Sequence, residues 1–119
     1  MTNEEFYTKI GGNYKDTLFR LTSDKLIRMF VVKFLKDTSF DALTKAFAAG
    51  DTEAAFQASH TLKGVSANLG FTVLFNLASE LTESLRGGKT TADMAELYKA
   101  VKEEYAKTFA AVQEFKDAQ

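Results

Sequence analysis

The chain contains one histidine, His60, and the residues around it at helical spacing are those best suited to chemistry. The segment from Asp51 to Leu69 has no proline and one glycine, Gly64. A helix advances about 100° per residue, so with His60 at zero, Ala55, Ala58, Leu62, Val65, Ser66 and Leu69 fall within about 60° of the opposite side. They form a coherent inward stripe. Glu53, Phe56, Gln57, Lys63, Gly64 and Ala67 gather on the histidine's own side. His60 is therefore expected near the middle of a solvent-facing surface, with Lys63 at i+3 and Gly64 at i+4. An exposed imidazole is a nucleophile that needs no activation near neutral pH. A phosphoryl group accepted there would bring negative charge, which a lysine one turn away can offset. A mid-helix glycine costs about 1 kcal/mol relative to alanine, and on an exposed face it leaves open space beside the imidazole. The same spacing also fits an ordinary surface histidine beside a chance glycine, and geometry alone leaves both readings open.

The elements that must carry this face are legible from composition. A chain of 119 residues is sized for one domain, residues 1–119, with a single core. No proline, seven glycines and an abundance of Ala, Leu, Lys and Glu favour an all-α fold. With no cysteine there is no disulfide, zinc–thiolate site or thiol chemistry. One histidine removes any multi-histidine metal site, and no EF-hand spacing is visible. A net charge of −1 without a basic stripe argues against nucleic acid. The most apolar run, Leu26 to Leu35, is interrupted by Arg28 and Lys33 and is too short to span a bilayer. The N-terminal MTNEEF is polar and acidic and does not resemble a secretory signal, so the expected compartment is the cytoplasm.

Taken in order, Thr2 with Glu5 reads as a capping box opening a short helix, with Phe6 and Ile10 inward and Gly11-Gly12 ending it. Asn13 to Thr22 lacks a clean period and reads as a connector with one helical turn. Ser23 caps a helix to about Lys36. Thr38 or Ser39 caps the next, which Gly50 stops. Asp51 caps the histidine helix, about 51–69. Phe71 to Arg86 forms a helix ended by Gly87-Gly88. Thr90 with Asp93 resembles a capping box for the last helix, about Thr91 to Lys116. Phe30, Phe34, Phe40 and Phe47 fit helical core spacing better than an aromatic cofactor box. Short connections predict an antiparallel up-down-up-down four-helix bundle from about Thr38 to Ala118, with two additional N-terminal helices at one end.

His60-Thr61-Leu62-Lys63-Gly64, followed by Ser66-Ala67-Asn68-Leu69-Gly70, resembles the signature of histidine-containing phosphotransfer (HPt) domains. Asp24 to Asp37 and Phe40 to Asp51 resemble the two helices that precede the histidine helix in that family. The resemblance implies a phosphorelay intermediate. His60 would accept a phosphoryl group on Nε2 from a receiver-domain aspartyl phosphate or a histidine kinase, and pass it to a response-regulator aspartate. Lys63 would neutralise charge and Gly64 would give access. The partners implied are a response-regulator receiver domain and a sensor histidine kinase, with Mg²⁺ on the receiver, no cofactor in this chain and a monomeric state. Phe56, Gln57 and Ala67 are candidates for receiver docking. Gln57 fits equally a phosphate hydrogen bond or plain solvation, and Phe56 equally docking or rim packing. Ser66, Leu69 and Gly70 match the motif but are structural. Many members of the family carry an acidic residue near the place of Thr82, and in chemotaxis-kinase relatives a glutamate there orients the imidazole. Glu80 and Glu83 only flank that place, so no orienting carboxylate is expected. No Walker A loop or kinase signature is present, so no autonomous ATP-dependent kinase activity is expected. Two other readings remain: a helical interaction module without phosphotransfer, or an HPt domain excised from a larger sensor kinase. Met1 and the helix it begins favour a free-standing protein over the latter.

Overall fold

In the computed structural model, which describes residues 1–88 and 92–118, the chain is all-helical. Its α-helices are α1 (Asn3–Ile10), α2 (Tyr14–Leu21), α3 (Asp24–Lys33), α4 (Ser39–Ala48), α5 (Thr52–Leu69), α6 (Thr72–Ser84) and α7 (Met94–Asp117). No strand occurs among the described residues. The expected cap at Thr90 lies outside the described residues.

Most helix ends follow from local chemistry. Thr2 and Glu5 form a reciprocal capping box at α1. Ser23 accepts from the Leu26 amide at α3, and Asp51 accepts from the Ala54 amide at α5, 3.0 Å away. The start of α4 differs from expectation. Thr38 holds the N-cap position but its side chain makes no capping bond; the Asp37 carboxylate accepts from the Ser39 amide at 3.0 Å and also takes the Ser39 hydroxyl. The α-helical part of α3 stops at Lys33, and Phe34–Lys36 tighten into a 3₁₀ turn.

Asn13 to Thr22 is not a connector. It is the two-turn helix α2, capped by the Asn13 side chain and ended by Thr22 in the left-handed region at φ 74°. Three helices, rather than two, therefore precede α4. The apolar period is hidden because the fully buried residue is Thr17, while Phe19 points outward and is 88% exposed.

Sequence neighbours pack on one another, α4 on α5, α5 on α6 and α6 on α7, while α1 and α3 lie on α7. The α4–α7 seam is aromatic. Phe40 stacks on Tyr105 and Phe47 on Tyr98, each pair with ring centroids 4.3 Å apart. The Tyr98 hydroxyl donates to Thr44 at 3.1 Å. Such ring pairs contribute about 0.5–1.5 kcal/mol each beyond area burial. A second cluster gathers the chain ends. Phe6 of α1 meets Phe115 of α7 at 4.8 Å, and Phe71 before α6 meets Phe34 at 5.2 Å. Of the four phenylalanines expected at core spacing, Phe34 is buried, and Phe30, Phe40 and Phe47 are half-buried against the core.

The amino-terminal helices close the C-terminal end of α5. A helix leaves its last carbonyls without intrahelical donors. Here Ser66 receives the Phe71 amide, and Ala67 and Asn68 each receive the Arg20 guanidinium at 2.9 Å. Leu69 receives the Tyr7 hydroxyl at 2.6 Å. The approach is close enough to demand glycine at 70. Its φ is +73°, and a Cβ there would stand 1.9 Å from the Thr17 hydroxyl. Thus α1 and α2 anchor the far end of the helix that bears His60.

Candidate functional site

The site is built on the middle of α5, a helix fixed at both ends. At its start the Thr52 hydroxyl donates to the Gly88 carbonyl at 2.7 Å, joining α5 to the turn after α6. Its inner face buries Ala55, Ala58, Leu62, Ser66 and Leu69. Val65, placed on that stripe by the helical wheel, is only half-buried. Ser59, absent from it, is fully buried. The Ser59 hydroxyl lies 2.8 Å from that of Thr82 on α6, and both reach the Ala78 carbonyl. This hydroxyl pair seats the residue before His60 on α6. It also accounts for Thr82, which is buried and turned to Ser59 rather than to the imidazole.

His60 itself is exposed. Among the described residues its imidazole makes no hydrogen bond or ion pair, and its ring contact is with Phe56. The two rings are nearly parallel, 11° apart in plane, with centroids 6.1 Å apart. Lys63 is half-buried and forms no ion pair among the described residues. Gly64 is helical and exposed, and a Cβ built there would meet nothing within 4 Å. Neither backbone conformation nor packing therefore requires a glycine at 64, unlike 70. Gln57 is exposed, and its carbonyl accepts from the Thr61 hydroxyl at 3.0 Å. Phe56, Gln57, His60, Lys63 and Gly64 thus share one stretch of surface. Ala67 is exposed farther along the helix, where its carbonyl is tied to Arg20 of α2.

Glu83 of α6 and Arg86, just past its end, border this face. The guanidinium carbon of Arg86 lies over the Phe56 ring, 5.5 Å from its centroid. Arg86 is held by a two-point fork to Glu83, with Nε and Nη2 donating at 2.9 and 2.7 Å. That hydrogen bonding keeps the Glu83 carboxyl below its ordinary value, and the positive charge of Lys63 adds to the effect. Glu83 therefore stands within electrostatic reach of both cations. The contact joins residues 30 positions apart in sequence (Phe56 to Arg86) on different helices, so no spacing rule exposes it. A signal was available only in position: Arg86 precedes the Gly87-Gly88 turn, whose second glycine anchors Thr52.

Among the described residues no group of three or more His, Cys, Asp or Glu side chains is placed to hold a metal ion, and no helix is long and apolar enough to cross a membrane. On one face of α5 the structure brings together one exposed imidazole, a lysine one turn on and an uncovered glycine above. The Hpt domain family model matches residues 26–114, and the chain belongs to that family. Hpt domains carry out histidine phosphotransfer in two-component phosphorelays, interacting with receiver domains and kinases and lacking intrinsic kinase activity. No curated protein and no solved structure matches the chain.

Proposed function

We propose that the chain is a phosphorelay intermediate in which His60 is the phosphoacceptor. The observation that carries this reading is the surface of α5: an exposed imidazole, a lysine outside any described ion pair at i+3, and empty space above Gly64 at i+4. The Nε2 lone pair of His60 attacks the phosphorus of an aspartyl phosphate on a receiver domain. The N–P bond forms as the P–O bond to aspartate breaks, and the carboxylate leaves with the bonding electrons. Transfer to the aspartate of a response regulator is the same step reversed. A histidine kinase is a second possible donor. Phosphoryl transfer asks chiefly for alignment and charge neutralisation. Lys63 offsets the incoming charge, and Gly64 leaves the receiver a path. Phe56, Gln57 and Ala67 lie on the docking face. Mg²⁺ belongs to the receiver, and this chain supplies no nucleotide chemistry of its own.

The whole chain, residues 1–119, acts as one HPt domain in this reading. The helices α4 to α7 form an antiparallel up-down-up-down bundle, with the histidine on its second helix. The protein works as a monomer in the cytoplasm. Support for the topology comes from the packing of successive helices and from the aromatic seam that closes α4 on α7.

The test is incubation with a phosphorylated receiver domain and Mg²⁺, following both intact masses. The receiver should lose one phosphoryl group as this chain gains one, and ATP with Mg²⁺ alone should add none. Stoichiometric self-labelling from ATP, or no gain from any phosphorylated receiver, would overturn the reading.

A further inference from the structure

We infer that Phe56 is a positioning residue for His60, and that Arg86 and Glu83 brace it. The inference rests on the relay reading for its purpose but not for its geometry. An exposed histidine without a hydrogen-bond partner is ordinarily free to exchange rotamers. Here the imidazole lies nearly parallel to the Phe56 ring, in an offset stack at 6.1 Å. Side chains on a helix lean toward its N-terminus, so the residue at i−4 is the one over which His60 naturally lies.

Phe56 is itself constrained. It is half-buried at the α5–α6 margin, and the Arg86 guanidinium covers its ring at 5.5 Å. Arg86 in turn is oriented by the two-point fork to Glu83. The turn bearing Arg86 is pinned to the first turn of α5 through Thr52 and the Gly88 carbonyl. A chain of contacts therefore runs from the base of α5, through the end of α6, and back to the imidazole. It fixes the plane of the ring, and with it the direction of the attacking lone pair, where no hydrogen bond among the described residues does so. Alignment of that kind is what in-line transfer requires.

The experiment combines NMR relaxation of the ¹³C/¹⁵N-labelled His60 ring with single-turnover transfer from a phosphorylated receiver over a range of receiver concentrations. Phe56→Leu keeps an apolar side chain but removes the stack. It should increase ring motion and lower the maximal transfer rate about three- to tenfold, a loss that persists at saturating receiver. Arg86→Ala, which touches Phe56 and not His60, should change both readouts in the same direction by less. Phe56→Tyr should restore both. Wild-type ring order and maximal rate in Phe56→Leu and Arg86→Ala would overturn the inference. A change confined to half-saturation would also overturn it, because Phe56 would then be a docking contact alone. The relaxation measurement needs no phosphoryl donor. Failure of the wild-type protein to accept phosphate would therefore sink the relay reading while the positioning claim was still decided.

Discussion

Gly64 stands one turn beyond His60, and a Cβ added to it would meet no atom within 4 Å. It is helical, so a side chain there also relieves the entropic penalty of glycine. Gly64→Gln should stabilise the fold by up to about 1 kcal/mol. The new side chain would lean back over His60 and hinder a partner's approach. Thermal melting and transfer rate, measured on the same mutant, should therefore move in opposite directions: a higher melting temperature and slower transfer. A mutant that melts lower yet transfers normally would show that this glycine serves packing.

Lys63 has no carboxylate within ion-pair distance among the described residues, although Glu83 feels its charge, and the proposed function assigns that charge to the phosphoryl group. Lys63→Ala should slow transfer by one to two orders of magnitude if the cation contributes about 1.4–2.7 kcal/mol to the transition state. The helix should survive, because alanine is the better helix former. Unchanged single-turnover kinetics would reduce Lys63 to a solubilising residue.

The Tyr7 hydroxyl closes the end of α5 on the Leu69 carbonyl, and burial pushes this phenol from 10.0 up to about 12. Its ionisation is thus disfavoured by folding. The stability it contributes is complete below the unfolded value near 10 and is lost as pH rises through the folded value of about 12. Tyr7→Phe should cost about 1 kcal/mol at neutral pH. It should also flatten the decline in stability across that alkaline window. Denaturant melts of the two proteins at neutral and alkaline pH check this. Parallel alkaline declines would contradict it.

Ser59 and Thr82 are both fully buried and share the Ala78 carbonyl. Thr82→Val should cost about 1 kcal/mol by leaving Ser59 with one partner fewer. The double variant Ser59→Ala, Thr82→Val should recover much of that loss, because no hydroxyl is then left incompletely bonded. A double-mutant cycle in urea reads the coupling, and strict additivity would show that the two hydroxyls act independently.

Local signals made the histidine helix legible. Asp51 caps it, Gly70 ends it at φ +73°, and its apolar stripe lies on one side. The exposed placing of His60 and Gly64 followed from that stripe. The second helix escaped because its buried position is Thr17 and its large apolar residue, Phe19, faces solvent. Arg86 escaped for a different reason. Its contact with Phe56 depends on how α6 lies against α5, and periodicity within one helix holds no information about that. Ser59 lay about 20° outside the edge of the predicted stripe, and a small polar residue gives no hydrophobic signal for its burial.

The central claim is that phosphate resides on His60. Its most direct test is peptide mapping by mass spectrometry, under alkaline conditions, of protein taken from the transfer reaction, beside His60→Gln carried through the same steps. The phosphate should map to His60 alone and be lost in acid, as a phosphoramidate is. His60→Gln should accept none while keeping nearly the wild-type melting temperature, since an exposed side chain contributes little to stability. Phosphate on any other residue, or labelling that persists in the folded His60→Gln protein, would contradict the account.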